Sequence, residues 1–584
     1  MIACRAERRR IGRSILAAAF LLTLAAPASA QQQPPLVQPF DPETMERMDP
    51  PAYENVGRIE ADSLKAPNPE GAGTMDAHQG GFSAALWTGT SAQVVRALLP
   101  MLPTASPSAT IRSLQRRLLL TAAPPPEGAS PDMRPSLVEL RVERLLAMGD
   151  LEGVAGLTSA APASVEAELW PLCEKLAAKA RRDAQLLAGK VTEACANLPP
   201  GGDLDSARLA TFCHLAAGRT LEGNLALDLL RERQGADSGF LAAAEALAGL
   251  PPAPNAKMDI PELTPLHVAL VRAARLPLPD AALANASPTL ARALAGNEPL
   301  SADQRIATAE RAEAAGLMNT DDLRKLYLAL AFPPDELAAP MDRAAAAGTH
   351  GRALLFRAAF DQPDPVLKAR FTAKALELAA TRNRLASTAR VFESLIAATR
   401  PEPLLAREAI AMTRALFALG RPEAAAKWLD IALAEVTTVH EAEKLWPLTA
   451  AAAAAPGQPL AMAGLGGWRA SLRGLPAEMV ARRNAVVLGV LAALGAKVPD
   501  HAWLAALPLT GAGPRPALFA MMQTAALEAR LGGTLLPSLV AMGETPLDRI
   551  DPITLSETIS ALAVVGLSDD ARALAIEALL ANGV

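Results

Sequence analysis

The sequence predicts an all-α fold, an irregular α-solenoid or superhelix of stacked antiparallel helix pairs. Three observations carry that expectation. Alanine and leucine, both strong helix formers, dominate the 584 residues, while tyrosine occurs only at Tyr53 and Tyr327. Runs of Val, Ile, Thr and aromatic residues alternating with period 2, the mark of strands, are nearly missing. The 49 prolines fall mostly between helical stretches, where they end helices without breaking them.

Residues 1–30 read as a leader. Arg5, Arg8, Arg9, Arg10 and Arg13 form a positive region, Ile15 to Ala26 an apolar core, and Pro27-Ala28-Ser29-Ala30 supplies small residues for cleavage after Ala30. This is the pattern of a secretory signal peptide, and the expected location is the periplasm. Arg9-Arg10 leaves the twin-arginine route open beside the general one. Cys4 precedes the apolar core, which argues against a lipid anchor. Losing the leader removes five Arg and one Glu, so the exported chain is more acidic than its formal −5. Without a long basic run, nucleic-acid binding is not expected. Ala485 to Ala496 carries no charge, but its 12 residues fall short of a membrane span, which needs roughly 18 to 20.

Residues 31–80, rich in Gln, Pro, Asp and Glu, are expected to be a disordered tether, since few apolar clusters offset the entropy of ordering them. Residues 81–135 form an N-terminal helical segment. Thr90-Ser91 caps a helix through Leu102, and Ser106-Pro107 starts another with Ile111, Leu114, Leu118 and Leu119 on one stripe. The loop Ala122 to Pro135, with five prolines, separates it from a helical repeat array at 136–403. That array begins with Leu137 to Met148 and a shorter helix after Gly149-Asp150. Val165 to Ala180 and Asp183 to Leu198 follow, then Leu204 to Ala217 with Leu221 to Arg233, and Phe240 to Leu250. Thr264 to Ala274, Pro288 to Ala295, Ala302 to Ala315 and Thr320 to Ala331 come next. Leu337 to Ala347, Arg352 to Phe360, Val366 to Thr381 and Leu385 to Thr399 complete it. The C-terminal array, 404–584, holds the hairpin Leu404 to Glu435, then His440 to Ala455 and Ala477 to Leu494. It ends with Ala517 to Leu531, Thr534 to Met542, Thr554 to Val565 and Asp569 to Ala581.

The hairpin at 404–435 is the clearest unit. Leu416, Gly420, Ala425, Leu429 and Ala432 place an apolar contact, a turn and small residues where two helices meet, and Leu562, Gly566, Ala571, Ala575 and Ala578 repeat that spacing. These two units, about 60 residues, resemble the tetratricopeptide-type helical hairpin superfamily. The resemblance implies an α-solenoid and says little about ligand.

Candidate chemistry is sparse. Cys195 and Cys213, with 17 residues between them, form one possible disulfide, worth about 3 kcal/mol, and Cys173 with Cys213 is the rival pairing. His214 adjoins Cys213, but helix neighbours point about 100° apart and make no dyad. The six histidines are scattered, and His440-Glu441 lacks the second histidine of a zincin motif, so no metal site is expected. Asp321-Asp322 and Asp569-Asp570 suit helix starts. Glycine pairs such as Gly532-Gly533 lack the Gly-Lys-Ser/Thr of a phosphate loop. Lytic transglycosylases carry a long Ala-rich superhelical domain similar to this one. Their Glu-Ser and downstream Gly-Leu-Met-Gln motifs appear here only as Glu393-Ser394 and Gly316-Leu317-Met318-Asn319, in reversed order. The expectation is therefore a non-enzymatic, cofactor-free scaffold or adaptor for protein or peptide partners in the cell envelope. A cell-wall enzyme or its accessory factor, and a carrier of an apolar ligand within the superhelix, are the alternatives.

Overall fold

Short turns that satisfy the last carbonyls of one helix set the next helix antiparallel to it, and the hairpin at 404–435 shows how. In the computed structural model its arms are Ala406–Ala418 and Pro422–Ala434. Gly420 takes left-handed backbone, φ +68°, a conformation that L side chains resist. Gly420 N–H then donates to Phe417 O at 3.0 Å and Arg421 N–H to Leu416 O at 2.9 Å. Ala425 and Ala432 are fully buried, so the arms approach closely. The same two bonds recur around Gly566, joining Pro552–Val564 to Ser568–Ala581.

The structure describes residues 68–584 apart from 131, 161–177, 180, 197, 199–202, 233–236, 252–258, 297–299, 346–347 and 510–512. Among the described residues the fold is all helical, with three isolated bridges and no strand. No described helix is long and apolar enough to cross a membrane. Leu204–Ala216 packs on Thr220–Glu232, Pro288–Ala295 on Ala302–Ala314, Gly348–Asp361 on Pro365–Ala380, and Pro516–Leu527 on Leu531–Met542. Hairpins stack in turn, with Pro365–Ala380 against Ala406–Ala418 and Ala477–Ala493 against Pro552–Val564.

Several boundaries differ from the sequence expectation. One apolar core runs through 82–157 and 295–584, and a second is confined to 186–300. The division at 403/404 is therefore not a boundary, because Leu385–Val391 and Pro365–Ala380 both pack across it onto Ala406–Ala418. The expected helix Asp183 to Leu198 turns at Gly189 and resumes as Val191–Cys195. Leu385 to Thr399 breaks at Phe392 into Leu385–Val391 and Glu393–Ala398, and His440 to Ala455 into Val439–Glu443 and Trp446–Ala453. Where one helix was expected at Leu337 to Ala347, two short ones stand, Pro334–Ala338 and Pro340–Ala344, while Asp280–Ala284 and Met462–Ala470 were missed, their periodic stretches being too brief to read.

Residues 68–80, assigned to the tether, belong to the fold, while 1–67 lie outside the described residues. Thr74 N–H donates to Leu120 O at 2.8 Å, and Ala122 N–H to Met75 O at 2.8 Å. Arg141, fully buried, clamps this segment. Its guanidinium donates to Leu119 O at 2.6 Å, Thr121 O at 3.1 Å and Ala72 O at 2.5 Å. Those first two carbonyls end the helix Ala109–Leu120, where a cation is favourable. Burial pushes the Arg141 pKa down to about 10, so it still carries its charge at neutral pH. The proline-rich loop 122–135 is no separator either. Glu127 O accepts from Ala92 N–H at 2.8 Å, and Glu127 N–H donates to Thr90 O at 2.9 Å.

The stack also closes on itself. Ala92–Leu98 packs on Leu531–Met542, and Ala109–Leu120 on Ser568–Ala581. Gly532 N–H donates to Leu86 O at 2.8 Å, and a Cβ at Gly532 would sit 2.4 Å from that oxygen. The glycine pair 532–533 is thus a close-approach device. Glu544 accepts from the amides of Thr104 and Ala105, at 2.8 and 3.1 Å, and Glu577 from the amide and hydroxyl of Thr110, at 3.1 and 3.0 Å.

Candidate functional site

Half-open hollows lie where the two ends of the fold meet its middle and beside that meeting. One cavity of about 400 Å³ lies between the start of Ala109–Leu120, the turn after Pro365–Ala380, and the end of Ser568–Ala581. A second, of about 480 Å³, lies between Pro365–Ala380, Ala406–Ala418 and the segment Thr437 to Glu441. The two share a wall made by Ala380, Leu385 and Arg414.

Both cavities mix apolar walls with charges of each sign. Arg112, Arg390, Asp548 and Glu577 face the first, and Arg407, Glu377 and Glu441 the second. Arg390 is neutralised by Glu313, with Nε and Nη2 at 2.7 and 3.1 Å from its two carboxylate oxygens. Among the described residues, Arg112 donates to the carbonyls of Ser106 and Pro107 alone, at 2.8 and 3.1 Å. Arg414 makes no hydrogen bond or ion pair among the described residues, and its Nε is buried. Burial lowers the pKa of Arg112 and Arg414.

Beside the cavities runs a buried ionic network that sequence reasoning missed. Glu310 and Glu313, one turn apart on Ala302–Ala314, are 5% and 3% exposed. Glu310 accepts from Arg352 Nε at 3.0 Å, and also from Arg352 Nη2 and the Tyr327 hydroxyl. Burial and the adjacent carboxylate push the Tyr327 phenol well above its ordinary range. Glu313 binds Ser387 and Thr320 as well as Arg390. The available signal was two acids three residues apart beside the apolar stripe Ile306, Ala309, Ala312.

Among the expected site residues, the structure joins Cys195 and Cys213 in a disulfide, with Cα atoms 5.7 Å apart. It fastens Val191–Cys195 to Leu204–Ala216 within the second core. Cys173 lies outside the described residues. With Cys213 in the disulfide, its neighbour His214 has no thiol to activate. No group of three or more His, Cys, Asp or Glu among the described residues is arranged to hold a metal ion.

Among the described residues, one hydroxyl–imidazole–carboxylate relay forms, from Thr264, His267 and Asp237. Thr264 Oγ1 is 2.8 Å from His267 Nδ1, and His267 Nε2 is 2.8 Å from Asp237 Oδ2. Thr264 also accepts from His267 N–H and caps Pro265–Ala273, while Asp237 caps Ser238–Leu247. Every member is satisfied as a helix cap, and the relay borders neither cavity. Asp570 pairs with Arg117, Asp321 with Arg324 and Asp322 with Lys325, so three of the four carboxylates do more than face a helix dipole. Glu393 pairs with Arg421, while Gly316 makes a turn and Asn319 caps Thr320–Ala329. Trp428 and Trp468 are buried packing residues, and Trp446 and Trp503 are half-buried. Comparison with protein-family models, with curated proteins and with solved structures found no match to this chain.

Proposed function

We propose that the protein is an exported, periplasmic helical-repeat scaffold that recognises protein or peptide partners in the cell envelope. The observation that carries this reading is a leucine row on Thr220–Glu232. Leu221, Leu225 and Leu229 follow one another every four residues on one helix face and are 81%, 63% and 57% exposed. Contiguous exposed apolar side chains on a folded protein favour a partner surface. The hairpin units at Gly420 and Gly566 support a tetratricopeptide-like reading of the array. The leader-like first 30 residues and the Cys195–Cys213 disulfide both favour an oxidising compartment.

Affinity capture from envelope extracts, comparing the full chain with Leu225→Lys, tests the proposal. The expected result is a protein recovered by the first and lost by the second. Recovery of the same proteins by both, or of none, overturns it. N-terminal sequencing of the exported protein checks cleavage after Ala30. A second reading, a ligand carrier, is favoured by the two adjoining cavities.

A further inference from the structure

Arg414 is a cation placed on the shared wall of two cavities without a contact partner among the described residues. Its field is set by charges at a distance. Glu441 and Glu377 attract it and Arg483 repels it. Arg483 is half-buried, also makes no hydrogen bond or ion pair among the described residues, and lies against Gly583 at the rim of the first cavity. Leaving a half-buried guanidinium unpaired costs free energy, and helix packing on both sides holds it there. Burial lowers the pKa of Arg414 and Arg483 alike, in keeping with a shortage of counter-charge.

We infer that the two cavities bind one small organic monoanion, a carboxylate on an apolar body, whose charged end pairs with the Arg414 guanidinium. The fork of N–H donors on arginine matches a carboxylate in two parallel bonds. A single negative charge fits better than the double charge of a phosphate, because Glu377, Glu441, Asp548 and Glu577 stand around the same space. Leu376, Leu385, Ile410 and Leu580 supply the apolar wall for the rest of the molecule. The volumes, about 480 and 400 Å³, lie within the range of small-molecule sites and are far too small for a folded partner. This site is separate from the leucine row and stands or falls independently of partner recognition.

The test is isothermal titration of the purified full chain with octanoate, octanol and inorganic phosphate, repeated on Arg414→Gln and Arg414→Lys. Octanoate is expected to bind one per chain, with octanol and phosphate each weaker by on the order of 10-fold or more. Arg414→Gln is expected to lose a similar factor and Arg414→Lys less, with unchanged helical circular dichroism. Arg483→Gln provides a second variant, expected to weaken octanoate should the first fail to fold. Equal binding of octanoate and octanol, tighter binding of phosphate, no octanoate binding, or full affinity in every folded variant overturns the inference. Envelope-protein capture by Arg414→Gln is expected to match the unaltered chain, so loss of the ligand site and loss of partner recognition are told apart.

Discussion

Arg117 closes the fold onto Asp570, 453 residues away, with Nη1 at 2.9 and 2.8 Å from the two carboxylate oxygens. The same guanidinium lies over the Phe82 ring, 4.4 Å from its centroid, so one side chain joins three parts of the chain. Both partners of the pair are 21% exposed, which limits its strength. Asp570→Asn is expected to cost about 1 kcal/mol by urea denaturation. Gly532→Ala, which forces a methyl against Leu86 O in the same closure, is expected to cost more, about 1–3 kcal/mol.

The Glu310–Arg352 pair sits deeper, with side chains 6% and 4% exposed. Glu310→Ala leaves a buried guanidinium and a buried phenol without their acceptor, and is expected to destabilise by about 3–5 kcal/mol. Glu310→Leu combined with Arg352→Met removes both charges and is expected to recover most of that loss. A double-mutant cycle in denaturant measures the coupling.

Reduction of Cys195–Cys213 acts on the second core. It frees a loop of 18-residue separation and is expected to cost about 3 kcal/mol there, read as a lowered Tm after dithiothreitol. Alkylation without reduction is expected to leave these two cysteines unmodified.

His350 carries a pH dependence with a defined sign. Its Nδ1 is 2.8 Å from Asp303 and its Nε2 3.0 Å from Glu336. Burial pushes its pKa down, but the bonds to Glu336 and Asp303 outweigh that, and the net value is raised above 6.5. A raised folded-state pKa means that the contribution is complete below about 6.5, the unfolded value, and fades as pH rises through the folded one. Thermal melts from pH 5.5 to 8.5 are expected to show Tm falling across that window, and His350→Gln to flatten the change.

The helical hairpins were legible because their cause is local. Gly420 and Gly566 end helices through bonds between residues three and five apart, and apolar spacing of three and four residues marks the buried faces. Cys195 and Cys213 were legible for the same reason, since a single turn separates their helices. The ordering of 68–80 was not, because it depends on Arg141 reaching back to Ala72 from another helix.

The sequence by itself determined an all-helical chain, the hairpin turns and the lack of any recognisable motif for a metal or a cofactor phosphate. Only the tertiary structure decided that the array closes, through Arg117 with Asp570 and Leu86 with Gly532, contacts that no local pattern encodes. It alone decided which arginines are neutralised. Arg352 and Arg390 meet buried glutamates, whereas Arg414 faces a cavity, although all three occupy ordinary positions on alanine-rich helices. Side-chain charge is written in the sequence; its partner is set by which helices the closed stack brings together.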